Sequence, residues 1–227
     1  MLCGLVICLG RGLVVVLGGV DGSGKSVICR SLSGFLVREG FGVRVVWVKS
    51  LHTLAFLVYG FFRRFWGIEW VVNPCGRVVE HFVTGWMRRL GWLWGFLEFL
   101  SVLPWVFVVF FYRFLGFVVV CDRFLMDFLA TVSLRVGDVF WSWKSLWGRF
   151  LRSLQRRVLT FHLRVSLKTA LRRRPDVEYS LEEFKLLAAL YRVLARDINA
   201  HEVLNENVSV FDVVKHVRSV LSERICI

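Results

Sequence analysis

The chain has no Cys-x-x-Cys pair, no internal repeat, no low-complexity tract and few acids. Without paired cysteines there is no basis for a zinc ribbon or a disulfide framework. Cys3, Cys8, Cys29, Cys75, Cys121 and Cys226 therefore read as reduced, buried thiols of a cytoplasmic protein. No linker is long enough to split the chain, so its 227 residues read as one domain with a real core. Seventeen Asp and Glu stand against thirty Lys and Arg, a formal net charge of +13. That imbalance favours anionic partners and is silent on fold. Residues 1–20 carry a single charge, Arg11. No basic segment precedes their apolar run, so they do not read as a signal peptide. Residues 1–12 are taken as an N-terminal extension and 13–223 as the domain.

What the chain has in excess is apolar and aromatic. Hydrophobic residues make up 56%, with 21 Phe and 10 Trp, above the roughly 45–50% usual for a soluble domain. The greasiest part is residues 92–120. Its longest uncharged stretch, residues 99–112, is shorter than the ~20 residues a spanning helix needs. Glu98 and Arg113 flank it and Pro104 interrupts it. It reads as a buried or partly exposed helix, leaving peripheral membrane contact open. A homodimer built on the apolar helices between 77 and 116 would also cover such a surface.

Hydrophobic patterning alternates strands and helices. Residues 13–17 (LVVVL) predict a buried strand, 26–40 a helix, 43–48 a second strand, and 51–70, 77–90 and 92–115 helices, the last bent or broken near Pro104. A turn falls at Asn73-Pro74-Cys75-Gly76. Residues 117–121 form a third strand. Helices follow at 124–136 and 140–155, then a strand at 158–165. A helix ends in Arg172-Arg173-Arg174. Residues 181–198 form an amphipathic helix whose start Glu182 and Glu183 cap. A weak strand (201–205) and a terminal helix (208–221) complete the chain. This is a three-layer α/β pattern with about five parallel strands.

Gly19-Val20-Asp21-Gly22-Ser23-Gly24-Lys25-Ser26 matches G-x-x-x-x-G-K-[ST] and sits between a predicted strand and helix. Glycines let successive backbone N–H groups converge on phosphate oxygens, and the helix start through Val27 adds its own amides and dipole. Lys25 reaches the outer phosphates, and the Ser26 hydroxyl is a candidate Mg2+ ligand. Asp122 ends the strand at 117–121, where the ligand crevice of a parallel sheet opens. It is the second candidate metal ligand, and Arg123 beside it can clamp an anionic acceptor. Neither the N-K-x-D motif of GTPases nor the L-S-G-G-Q signature of transporter ATPases is present. Ten Lys or Arg and no acid lie between 144 and 174. With no zinc-finger or aromatic-interleaved RNA-binding pattern, they read as a lid region and solvated helix rather than a nucleic-acid face. Lys49, His52 and Arg77 are candidate acceptor contacts. Phe56, Phe61, Phe62, Phe65 and Trp66 read as core or interface, and His162 as structural.

In Gly19–Ser26, Val118–Phe124 (VVVCDRF), Arg172–Arg174 and the helix from Glu182 to Arg196 with Tyr191, the chain resembles the thymidylate kinases, P-loop nucleoside monophosphate kinases. The likeness runs from 13 to about 221. It implies a P-loop nucleoside triphosphate hydrolase fold with a short lid at about 171–180, ATP and Mg2+ as cofactors, and transfer of a phosphoryl group to a nucleoside monophosphate, dTMP first. It also implies that Asp21 lies near the acceptor sugar and Arg123 at the acceptor phosphate. One of Arg172, Arg173 or Arg174 would supply the cation that Gly22-Ser23 do not. The chain departs from the family at Val48–Thr53, where a basic, proline-containing loop is usual, and at Leu125-Met126-Asp127. Two alternatives stay open: a different acceptor, or a P-loop ATPase or switch at a membrane surface.

Overall fold

The computed structural model describes residues 12–49, 53–81, 84–206 and 208–225. Cys3, Cys8, His52, Cys226 and nearly all of the N-terminal extension lie outside them, as does the Trp66 side chain. Five strands form one parallel sheet: β1 (Leu13–Gly18), β2 (Val43–Trp47), β5 (Val118–Asp122), β6 (Leu159–Arg164) and β7 (His201–Leu204), in the order β2-β5-β1-β6-β7. β1 is central because both of its faces are apolar. Val15 and Leu17 point to one helical layer, Val14 and Val16 to the other. The first layer holds α1 (Lys25–Arg38) and α10 (Val210–Ile225), through Ile28, Leu32 and Leu36 and through Val213, Val217 and Leu221. The second holds α4 (Gly91–Phe114), α5 (Leu125–Arg135), α7 (Leu146–Gln155) and α9 (Leu181–Asp197). The first crossover, from β1 to β2, passes over β5, whereas β6 and β7 add on the other side of β1. The strand order therefore switches direction at β1, which puts a crevice at its carboxyl end.

Three expectations are corrected. Residues 77–90 are not a helix. β3 (Trp70–Val72) and β4 (Val78–Glu80) form an antiparallel hairpin about the turn at Asn73–Gly76, followed by the short α3 (Gly85–Arg89). The alternation Trp70-Val71-Val72 and Val78-Val79-Glu80 is a strand signal that the neighbouring helical pattern obscured. Next, α4 is unbroken across Pro104. Pro104 sits on its exposed side, where water can satisfy the carbonyl one turn earlier. Finally, the stretch 140–155 is two helices, α6 (Trp141–Lys144) and α7, because Ser145 caps the second by accepting from the Gly148 amide at 2.9 Å. Among the cysteines, Cys29 and Cys121 are buried, whereas Cys75 is exposed at the hairpin turn.

α4 is long and apolar enough to cross a membrane by length and composition. Trp94, Val102, Val106 and Val109 on it are nonetheless part of the core beside the sheet. Glu98 is fully buried and meets the buried Arg135 of α5 at 3.1 Å. A charge inside an apolar helix is tolerable only when paired. α2 (Thr53–Trp66) lies against α4, with the Ala55 amide donating to Ser101 Oγ at 2.8 Å.

Candidate functional site

The loop after β1 is held in the cradle conformation that its glycines allow. Gly22 and Gly24 have φ of +83° and +90°, and a Cβ on either would strike a neighbour, the Ala170 carbonyl or the Asn205 amide. Lys25 opens α1 and is buried. Its Nζ folds back over the loop to the carbonyls of Gly19 at 2.5 Å and Val20 at 2.8 Å. Burial pushes this ammonium down to about 8, with Arg123 adding to the effect against Asp127, Asp21 and Asp122. Ser26 and Val27 are exposed on the first turn of α1.

Across the crevice, β5 places Asp122 level with Leu17 and Trp47. Asp122 Oδ1 is buried and has no hydrogen-bond partner among the described residues. Arg123 follows with φ +76°, a left-handed backbone rarely taken by a long side chain. That turn aims its guanidinium back at the phosphate loop, where Nη2 donates to Asp21 Oδ1. Nη1 lies 3.7 Å from Asp127 Oδ1. Burial pushes the Asp21 carboxyl up, but Arg123, Lys25 and Lys49 outweigh it and hold the group well below the usual carboxylate range. Strain at Arg123 is therefore offset by a buried ion pair.

The structure also shows parts of the site that sequence reasoning missed. Asp127 stands out in the sequence only as a departure from the resemblance. It is buried on α5, accepts a hydrogen bond from the Tyr191 hydroxyl at 2.8 Å, and has no partner for Oδ2 among the described residues. Burial pushes its carboxyl up against the pull of Lys25 and Arg123. His162 packs against the Tyr191 ring, and burial pushes its imidazole down to about 4. Asn205 follows β7 and donates to the Ser23 carbonyl at 2.8 Å. Nothing in the sequence marks it, since its role depends on a contact 182 residues away.

Of the three arginines, Arg173 is placed beside the loop. It ends α8 (Leu167–Arg173), its Nη1 donates to the Asn205 carbonyl at 3.1 Å, and the same atom is 4.0 Å from where a Cβ on Gly24 would stand. Arg174 pairs with Asp176 at 3.5 Å, and Arg172 is exposed. The segment between α8 and α9 is pinned from outside. Asn73 of the hairpin donates to the carbonyls of Pro175 at 2.9 Å and Val177 at 3.2 Å, and Lys49 pairs with Glu178 at 3.5 Å. Arg77 is exposed beside that hairpin turn and not on a helix. Glu183 closes a capping box with Ser180 and also binds His81 and Arg88.

This is a P-loop α/β fold, with the glycine loop on one side of the switch point and an acidic-basic array on the other. No protein-family model matches the chain, and no curated protein matches it. Among solved structures it is similar to a thymidylate kinase from Candida albicans, an enzyme of broad substrate specificity. The TM-score is 0.62, over 94% of this chain and 92% of that one, at 14% sequence identity. Likeness at that identity establishes the fold alone, a three-layer α/β architecture shared with that enzyme.

Proposed function

We propose that the protein is an ATP-dependent nucleoside monophosphate kinase, with dTMP the first acceptor to test. The observation that carries this is the Asp21–Arg123–Asp127 array, held directly beside the phosphate cradle. A hydrolase can use an arginine at the phosphoryl group it passes to water, but here Arg123 is also bracketed by Asp21 and Asp127. Such a fixed cation is suited to seating a second, anionic substrate beside the donor phosphates. In this reading Lys25 and the amides from Gly19 to Val27 hold the donor phosphates. Arg123 orients the acceptor phosphate, and Asp21 and Lys49 border the acceptor. Arg173 neutralises the moving phosphoryl group from the lid side.

The residues present fit Mg2+. Ser26 and Asp122 offer hard oxygen donors on the two sides of the crevice, and Asp122 Oδ1 has no partner among the described residues. When bound, Mg2+ would offset the negative charge of the donor phosphates. An acceptor phosphate oxygen attacks the terminal phosphorus of ATP, the bond to the bridging oxygen breaks, and ADP leaves with the electron pair. The attacking oxygen is already anionic, so no general base is required. Catalysis then consists of positioning and charge stabilisation.

The deciding experiment screens nucleotides, nucleosides and other phosphorylated small molecules with labelled ATP, beside Lys25→Ala. Labelled dTDP formed by the wild type alone supports the reading. ATP hydrolysis with no nucleotide accepted would remove the substrate assignment.

A further inference from the structure

The second helical layer leaves a large apolar face uncovered. On α2, Leu57, Phe61 and Phe65 are 69%, 60% and 67% exposed. On α4, Phe107, Phe111 and Phe114 are 70%, 47% and 86% exposed. Each trio follows helical spacing and so forms one stripe. α2 runs antiparallel over the first half of α4, since Ala55 meets Ser101 while the Phe62 ring lies tilted against Trp86, which in turn touches Trp94. The Phe107–Phe114 half of α4 therefore projects past the start of α2. Scattered exposed apolar residues need no explanation, but six large ones in two stripes do.

Positive charge outweighs negative around these stripes, although Glu80 pairs with Arg63 of α2 and Glu69 follows the end of that helix. No acid occurs between Glu39 and Glu69, and between His81 and Asp122 the only one is Glu98, which is fully buried against Arg135. The cations are outside. Arg64 at the end of α2 and Arg89 ahead of α4 are exposed. Arg44 on edge strand β2 is also exposed and lies over the Phe117 ring at 4.5 Å. A second copy would bring the same cations and its own +13 to such an interface. An anionic bilayer offers negative headgroups for the arginines and acyl chains for the rings. We propose that the α2–α4 face docks peripherally on the surface of a membrane containing anionic phospholipid. The proposal is independent of the kinase reading, since its readout is partitioning and not turnover.

The test is co-sedimentation of the full chain with vesicles of phosphatidylcholine alone or mixed with phosphatidylserine, at low and high salt. The wild type should bind the mixed vesicles, bind the neutral ones far less, and be released by salt. Phe107→Ser/Phe111→Ser/Phe114→Ser should weaken partitioning by about tenfold or more while circular dichroism stays native. Phe107→Leu/Phe111→Leu should keep most of it, and Arg64→Glu/Arg89→Glu should lower it on mixed vesicles only. A wild type that stays in solution with the mixed vesicles at low salt overturns the proposal. So does a stable dimer by light scattering that the serine variant splits, because a second copy then covers the face.

Discussion

Replacing Asp21 by asparagine isolates the contribution of the buried pair with Arg123. The two side chains are 8% and 11% exposed, so water cannot take over when one charge is removed. Stranding the partner of a buried pair costs about 3–5 kcal/mol. Asp127 Oδ1, 3.7 Å from the other guanidinium nitrogen, relieves part of the stranded charge, so the lower end applies, about 3 kcal/mol. For a chain of this length that is a fall in melting temperature of roughly 6–12 °C. The pH dependence gives a second signature. The folded Asp21 carboxyl lies well below its ordinary 3.8. Its stabilisation is thus complete above 3.8 and is lost as pH falls through the folded value. His162 is pushed down from 6.5 to about 4, so it removes stability over that higher window in both proteins and serves as an internal control. Calorimetry and urea unfolding across pH read both windows. Asp21→Asn/Arg123→Met leaves no stranded guanidinium and should regain most of the loss. An Asp21→Asn protein within about 0.5 kcal/mol of wild type at neutral pH, or a double variant no better than the single, would refute the reasoning.

Other outcomes follow from neighbouring residues. Lys25→Met should abolish phosphoryl transfer, and it removes a titration that burial moves from 10.5 to about 8. The unfolded chain binds the extra proton between those values, so wild-type stability should rise with pH from 8 to 10.5 and that of the variant should not. Arg173→Ala should lower kcat about a hundredfold, whereas Arg172→Ala, which does not touch the Arg173–Asn205 bond, should leave it nearly unchanged in the same assay. Asn205→Ala removes the bond to Ser23 and should weaken ATP binding about tenfold by calorimetric titration, with melting shifted little.

The parallel sheet was readable because β1, β2, β5 and β6 are short, mostly apolar runs, and β1 leads directly into the glycine loop, whereas β7 (HEVL) gave only a weak signal. The hairpin β3–β4 was not, because three-residue strands lie below the length at which alternation separates from a helical pattern. In the site the division is similar. The cradle is local: its glycines, Lys25 and Ser26 are consecutive, and the spacing alone implies their convergence. Asp122-Arg123 were legible as a strand end in the right order. Asn205 and Tyr191 were not legible as site residues, because each acts through one contact made by the tertiary fold. Asp127 was visible as an oddity, but only its burial between Tyr191 and Arg123 gives it a role.

The apolar load of α4 shows why composition could not decide its role. Periodicity locates a buried face only when the opposite face is polar. On α4 both faces are apolar: Trp94, Val102 and Val109 pack into the core, while Phe107, Phe111 and Phe114 point away from it. A span, a core helix and a docking helix would share this sequence pattern. Glu98 separates them. A carboxylate in mid-helix that meets a buried arginine of α5 fixes that face inside the protein, since withdrawing α4 into lipid would strand both charges at a cost of several kcal/mol. The buried half of α4 is thereby committed to the fold, and only its outer stripe is free to meet a partner.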